Sequence, residues 1–107
     1  MFKKSAERDF VPLLTSVKYK TLTYGEKTSL SEFIFKKGAL EPDHKHPLEQ
    51  TGYVVSGRII MTVGGESFEA LAGDSWNIPS NVDHSAEVLE DTVIVEVFSP
   101  AREDYLP

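Results

Sequence analysis

The sequence contains no cysteine, and this absence removes several kinds of chemistry at once. Disulfide bonds, thiolate metal ligands and cysteine nucleophiles are all excluded. A chain without cysteine is compatible with a reducing compartment, and we expect a cytoplasmic protein. Long apolar runs are also missing, so we expect no contact with a membrane. Residues 1–10 contain lysines but lack the apolar segment that a secretory signal needs.

Positive charge is scarce as well. Lys and Arg total 11 against 17 Asp and Glu, which gives a formal net charge of −6. An acidic domain without a basic stripe is a poor candidate for binding nucleic acid. A small acid would have to be bound by a local cation, because the overall charge repels it. The 107 residues are enough for a single domain, which we divide into an arm (1–16), a barrel (17–99) and a tail (100–107).

Glycines and prolines recur at short spacing and separate runs that are rich in Val, Ile, Thr, Phe and Tyr. This pattern predicts an all-β fold, a sandwich or a barrel. No helical period is sustained, although residues 5–16 have room for a short turn before Pro12. Gly64-Gly65 and Gly57-Arg58 are both candidates for hairpin turns. The expected strands are Lys18–Tyr24, Ser29–Lys36, Gln50–Val55, Ile59–Val63, Ser67–Ala70, Asp74–Ile78, His84–Leu89 and Thr92–Phe98.

Two of these strands carry apolar side chains on both faces. Ser31–Phe35 has three consecutive large apolar residues, and Thr92–Phe98 has valines on one face and Ile94 and Phe98 on the other. Burial of both faces in so small a domain predicts a homodimer, in which a second copy covers the outer face. Glu96 shares the face of Ile94 and Phe98. A carboxyl group on an apolar face needs a partner or a function.

The histidines form the most informative pattern. His44 and His46 are two residues apart, so on an extended strand their imidazoles point to the same side. Gln50 has the same parity, whereas Pro47 interrupts the strand between them. His84 opens a later strand, and it joins the pair if that strand returns antiparallel beside the first. Nitrogen ligands with one oxygen ligand suit a single divalent metal ion per chain. The spacing does not choose among Ni, Zn, Mn, Fe and Co.

The spacing around these histidines resembles the two motifs of the cupin superfamily. The first motif matches Gly38, five residues, His44-x-His46, three residues, Gln50, six residues and Gly57; the second matches Gly73, five residues, Pro79 and His84. Three positions depart from the family: Gln50 replaces a glutamate, Asn81 a turn glycine and Val88 an asparagine. The resemblance implies the cupin double-stranded β-helix, a jelly-roll barrel, with a metal ion held by the matched residues. A glutamine ligand adds no charge, so the ion would keep its formal +2 and polarise a bound oxygen strongly.

Three further stretches resemble the KdgF-like cupins of pectin and alginate degradation. They are residues 44–50, residues 53–57 and the segment Val97-Phe-Ser-Pro-Ala-Arg-Glu-Asp-Tyr-Leu106. The resemblance implies a metal bound by three His and one Gln. It also implies a sugar-acid substrate: a 4,5-unsaturated uronate monosaccharide whose ring is opened to a linear 5-keto-4-deoxyuronate.

The same resemblance suggests roles for residues outside the metal site. Phe98 and Arg102 match family positions in the substrate pocket, and Arg102 would bind the uronate carboxylate. Glu96 takes the place of a family aspartate and would handle protons, together with Arg102. Tyr53 is a further candidate for substrate contact. Two other functions remain open at this point: a metal-dependent dioxygenase, and a module that binds a small acid or sugar without turnover.

Overall fold

The computed structural model describes residues 1–106, and within them ten strands form two antiparallel sheets. The larger sheet has the order β1-β2-β3-β10-β5-β8, and the smaller has the order β4-β9-β6-β7. The all-β prediction is therefore confirmed. The strands are β1 (Val11–Leu14), β2 (Val17–Tyr24), β3 (Ser29–Phe35), β4 (Leu40–His44), β5 (Glu49–Ser56), β6 (Arg58–Val63), β7 (Glu66–Leu71), β8 (Ser75–Ile78), β9 (His84–Val88) and β10 (Thr92–Ser99).

The core lies between the two sheets and follows from strand alternation. Side chains two residues apart share a face, so β10 directs Ile94, Glu96 and Phe98 inward, as predicted. Its valines point outward, where they are half-buried or exposed. The smaller sheet contributes Ile59 and Val88 from its inner face. Apolar burial of this kind is the main force that holds the sheets together.

Two of the ten strands were not predicted, and both lie at sheet edges. β1 contains Pro12, and β4 contains Pro42 between acidic residues, so neither has the composition of a typical strand. A proline cannot donate to a central ladder, which confines it to edge strands. β1 is the edge of the larger sheet and β4 that of the smaller. Their sequences reflect that position.

The two predicted hairpin turns have different outcomes. Gly64-Gly65 joins the antiparallel neighbours β6 and β7, so that prediction is confirmed. The prediction for Gly57-Arg58 is wrong, because β5 and β6 belong to different sheets. Gly57 has a φ of +101°, and a Cβ atom there would overlap the backbone at Asp91 and Thr92. Only glycine lets the chain turn the corner between the sheets at such close approach.

Both chain ends pack on the barrel. A short 3-10 turn at Ser5–Glu7 confirms the predicted turn in the arm, and a second 3-10 turn spans Glu103–Tyr105. The Tyr105 ring stacks on Tyr19 at 4.1 Å, and the Thr21 hydroxyl donates to the Tyr105 carbonyl at 2.6 Å. The tail is thereby fixed against β2. Within residues 1–106, no helix has the length and apolar character needed to cross a membrane.

Candidate metal centre and its cavity

The three histidines meet inside the barrel. His44 ends β4 and is the direct antiparallel partner of His84, which begins β9. His46 lies in the segment between β4 and β5, and its ring is 5.0 Å from that of His84. The rings of His44 and His84 are 4.1 Å apart. One nitrogen from each of the three residues lies within 4.8 Å of the others, so the predicted histidine cluster is confirmed as a group that could hold a metal ion.

Backbone carbonyls fix the orientation of all three rings. Each Nδ1 atom lies 2.9 to 3.1 Å from a carbonyl oxygen two residues away in the chain, at Pro42, Leu48 and Val82 respectively. A carbonyl only accepts, so each Nδ1 carries the proton and donates it. The lone pair is then on Nε2 in every case. This use of the second ring nitrogen is the usual way in which proteins orient metal-binding histidines.

Gln50 lies on a different strand from His44, and its side chain neighbours that of His46. It lies on β5, beyond the break at Pro47, and is 5% exposed. Its amide Nε2 donates a hydrogen bond to Glu96 Oε2 on the neighbouring strand. This contact determines the orientation of the amide, because only the nitrogen donates. The amide oxygen Oε1 therefore points away from Glu96 and is available as a ligand.

The cluster contains an unusual concentration of unsatisfied acceptors. His46 Nε2, His84 Nε2 and Gln50 Oε1 are buried and make no hydrogen bond within the described chain. Burial lowers the pKa of His46 and of His84, which favours the neutral imidazoles that bind metals. Buried acceptors without donors are costly, and a divalent cation would satisfy them together. Three imidazole nitrogens and an amide oxygen thus fit a metal such as Zn, Ni or Fe.

Glu96 is a buried carboxyl group directly behind the cluster. Burial raises its pKa to about 7, and repulsion from Glu41 acts in the same direction. The amide of Gln50, the indole N–H of Trp76 and the charge of Arg102 oppose this shift. Trp76 reaches this position because it lies across Gly52, where a Cβ atom would overlap the indole ring. The hydrogen bond from Gln50 therefore holds the Glu96 carboxyl group in place.

Arg102 projects from the tail over the aromatic wall of the barrel. Its guanidinium carbon lies 3.8 Å from the centre of the Tyr105 ring and 5.0 Å from that of Phe98. Its Nε donates to both carboxylate oxygens of Asp104, at 3.0 and 3.1 Å. The side chain is only 16% exposed, so it is an ordered group rather than a solvated one. Because Asp104 contacts Nε, the edge formed by the two Nη groups can still bind a carboxylate.

A cleft of about 690 Å³ leads to the cluster along the tail. Its lining includes His46, Leu48 and Arg102, together with residues around Tyr24 and Ala101. This volume is in the range of small-molecule sites and exceeds the needs of one monosaccharide. The cleft connects solvent, the cation of Arg102 and one face of the histidine cluster.

Two residues proposed for substrate contact have other positions. Tyr53 is 47% exposed and alternates with the inward-facing Gly52 and Val54, so it lies on the outer face of β5. The structure does not bring it to the cavity. Phe98 is at the cavity but has 0% exposure. Its edge faces the rings of His46 and Tyr105, and its contacts with Arg102 and His46 are those of a supporting side chain.

The structure adds one ionisable residue that the sequence analysis missed. Glu41 lies on β4 with its side chain 18% exposed, and its Oε1 atom is 3.9 Å from His44 Nε2. Three residues separate Glu41 from His44, so a regular strand would direct them to opposite faces. An irregularity in the β4–β9 ladder between these residues places both on the inner face of the smaller sheet, opposite the buried Ala86 and His84. Burial raises the pKa of Glu41, while His44 and Arg102 act against the rise.

Comparisons with known proteins agree with this geometry. Residues 31–99 match the family model described as the cupin domain. The pectin degradation protein KdgF of Dickeya dadantii is 32% identical over 92 residues, which are 84% of each chain. The structure of KdgF from a Halomonas species superposes with a TM-score of 0.93 at 29% identity, covering 99% of this chain and 98% of that one.

A second solved structure gives the same result. An RmlC-like cupin from Shewanella frigidimarina has a TM-score of 0.93 at 30% identity, over 98% of this chain and 95% of that chain. The jelly-roll barrel expected from the histidine motifs is therefore confirmed. The family match, the KdgF relatives and the clustered histidines lead to one conclusion. The chain belongs to the cupin family and is a small cupin of the KdgF-like type.

Proposed function

We propose that this protein is a metal-dependent enzyme that opens the ring of a 4,5-unsaturated uronate monosaccharide and yields the linear 5-keto-4-deoxyuronate. The observation that carries the proposal is the set of buried acceptors at His46, His84 and Gln50, next to a buried carboxyl group. A divalent cation held there supplies Lewis acidity, which stabilises negative charge on oxygen. The similarity to pectin degradation proteins supports a sugar acid as the substrate.

The reaction is an isomerisation, so the atoms balance within the substrate and two proton transfers. The bond between the anomeric carbon and the ring oxygen breaks, and its electron pair stays on the ring oxygen. The anomeric hydroxyl loses its proton as the aldehyde forms. The former alkene carbon C4 gains a proton as the enol becomes a ketone. The site must therefore bind a carboxylate, stabilise an oxygen anion and deliver a proton.

The residues around the cavity suit these requirements. Arg102 presents the Nη edge of its guanidinium in the cleft, where it can bind the uronate carboxylate through two hydrogen bonds. Glu96 has a pKa near 7, so its carboxyl group can both hold and release a proton at neutral pH. Phe98 and Tyr105 hold the guanidinium in place. In this arrangement Arg102 binds the substrate and Glu96 transfers the proton.

An ultraviolet assay tests the proposal directly. The conjugated alkene of an unsaturated uronate absorbs in the ultraviolet, and ring opening with ketone formation removes that absorbance. We expect protein loaded with Ni, Zn, Mn, Fe or Co, each in turn, to remove the signal with at least one metal. His44→Ala should leave the signal at the uncatalysed rate, because one ligand of the cluster is gone. Unchanged absorbance with every metal and several uronates would contradict the proposal.

The same samples distinguish the other functions. Oxygen consumption by iron-loaded protein with a sugar acid would instead identify a dioxygenase, which the neutral Gln50 ligand does not favour. A ligand-dependent rise in melting temperature without any product would identify a binding module. We also propose a cytoplasmic location, which cell fractionation with an antibody against the protein would test.

We further propose a homodimer formed through the outer face of the larger sheet. On that face Val97 lies beside Leu30, and Val95 lies beside Tyr53, so adjacent strands present apolar side chains to a partner. We expect light scattering to give twice the monomer mass for the wild-type protein and for Ile60→Lys, a control on the outer face of the other sheet. Val95→Lys should be monomeric with its fold retained. A monomeric wild-type protein would contradict the dimer.

A further inference from the structure

We propose that Glu41 is a substrate-binding residue whose carboxylate accepts a hydrogen bond from the hydroxyl group on the anomeric carbon of the sugar. This inference rests on the proposed function and assigns a specificity-determining residue to the same site. The KdgF-like motifs in the sequence do not include Glu41, which enters the site only through the fold. Its carboxyl group lies on the smaller sheet, opposite the sheet that carries Glu96.

Glu41 faces the interior from the smaller sheet, whereas Glu96 does so from the larger one. The irregularity between Glu41 and His44 in the β4–β9 ladder makes this orientation possible. Its strand partner is the buried Ala86, so the Glu41 side chain lies on the inner face of the smaller sheet. A carboxylate in such a position requires a structural reason, because burying it costs free energy.

The contacts of Glu41 leave its carboxyl group available to a ligand. Its nearest polar neighbour is His44 Nε2, at 3.9 Å, which is beyond hydrogen-bond distance. No donor within residues 1–106 makes a hydrogen bond with this carboxyl group. The Glu41 carboxyl group lies beside His44. It is not one of the candidate metal-binding atoms, which are the three histidine nitrogens within 4.8 Å of one another. A molecule bound at the cluster therefore comes within reach of Glu41.

The chemistry of a carboxylate determines which part of the substrate it meets. An ionised carboxyl group only accepts hydrogen bonds, so it repels the uronate carboxylate and attracts a hydroxyl group. The uronate carboxylate is then directed to Arg102, the cation at the cleft. Repulsion by Glu41 and attraction by Arg102 thus favour the same orientation of the sugar, with its acid group at the guanidinium and a hydroxyl group towards β4.

The ring of the substrate specifies which hydroxyl group this is. The carboxylate is attached to C5, which is bonded to the ring oxygen, and the anomeric carbon lies on the other side of that oxygen. With the carboxylate at Arg102 and the ring oxygen facing the histidine cluster, the anomeric hydroxyl points beyond the cluster towards Glu41. C4 lies on the remaining side of C5, towards the larger sheet that carries Glu96. The hydrogen bond from Glu41 holds the anomeric hydroxyl in position while the adjacent bond breaks.

Binding of two saturated sugars tests this contact without turnover. Galacturonate has the anomeric hydroxyl but no alkene, and its methyl glycoside lacks the hydroxyl proton. We expect zinc-loaded wild-type protein to bind galacturonate about tenfold more tightly than the glycoside in calorimetry, the effect of one hydrogen bond to a charged group. In Glu41→Ala the two sugars should bind alike. Glu41→Gln, which keeps an acceptor oxygen, should recover part of the preference.

Glu87→Ala is the matched control. Glu87 lies on β9 opposite Leu40, points to the outer face of the same sheet and carries the same charge. This variant should keep the wild-type preference and the wild-type kcat/KM for the unsaturated uronate, whereas Glu41→Ala should lose about tenfold in kcat/KM. Wild-type protein that binds both sugars alike, or binds neither, overturns the inference; so does a preference that persists in Glu41→Ala. If wild-type protein leaves the unsaturated uronate unchanged, the proposed function itself fails.

Discussion

Replacement of His84 with alanine is expected to abolish metal binding and, with it, all catalysed turnover. His84 is 1% exposed and lies between the other two rings of the cluster, 4.1 Å from His44 and 5.0 Å from His46. Its Nε2 atom is one of the buried acceptors without a donor. Removal of this ring leaves two imidazoles on one side of the site, which cannot enclose an ion. We expect the metal affinity to fall by at least 100-fold. This loss is larger than the one caused by removing a residue that hydrogen-bonds to a metal ligand, because here the ligand itself is removed.

Thermal unfolding with and without metal measures this loss. A ligand at about 100 times its Kd stabilises the folded state by about 2.7 kcal/mol, which corresponds to roughly 10–20 °C for a domain of this size. We expect a shift of that order for wild-type protein and for Ser85→Ala, a control that points outward from the same strand. His84→Ala should show no shift at the same metal concentration. A shift equal to that of wild-type protein would show that the ion binds elsewhere.

Two histidines of the cluster were predictable from their local spacing, and the third from its match to the cupin motifs. His44 and His46 are close in the chain, and His84 follows a turn that returns the strand antiparallel to β4. Strand parity also predicted correctly that Glu96 shares an apolar face with Ile94 and Phe98. The pairing of His44 with His46 and the face of Glu96 need only regular alternation along a strand, whereas the place of His84 also needs the long-range pairing of β4 with β9. Parity counted from His44 does not apply to Gln50, because Gln50 lies on the next strand, beyond Pro47.

Features that break regular alternation were not predictable. Glu41 enters the cavity through an irregular ladder, which a pattern of polar and apolar residues does not reveal. At Gly57 the chain passes from one sheet to the other. A hairpin turn has the same residue types, so the sequence alone does not distinguish the two. These cases depend on long-range strand pairing, which the local sequence does not encode.

The position of Arg102 belongs to the same class. In the sequence it lies in a polar tail, and composition predicts a solvated side chain there. In the structure the tail packs through Tyr105, which stacks on Tyr19, and the guanidinium lies against two aromatic rings. The rings of Phe98 and Tyr105 come together only when the chain end folds back on the barrel. A net charge of −6 repels acids, so an acid needs a local cation in order to bind. Tertiary packing of the tail places the guanidinium of Arg102 where it can be that cation.

Glu96→Gln is expected to separate metal binding from catalysis. Glutamine has nearly the shape of glutamate, and its amide oxygen can accept the hydrogen bond that Gln50 Nε2 donates. The ligand set of three histidines and Gln50 should therefore stay in place, with a metal content equal to that of wild-type protein. An amide cannot release a proton to C4 of the sugar. We expect kcat to fall by about 100-fold to 10,000-fold, the range for loss of a general acid or base.

Two further variants make this prediction specific. Glu66→Gln removes the same charge from an exposed position at the start of β7 and should keep wild-type kcat. Glu96→Asp keeps the carboxyl group but withdraws it from Gln50 by one methylene, so its kcat should lie between those of wild-type protein and Glu96→Gln. Metal content measured by mass spectrometry accompanies each kinetic value. Wild-type turnover by fully metal-loaded Glu96→Gln would show that the proton comes from another group. The buried carboxyl group of Glu96 would then serve only to support Gln50.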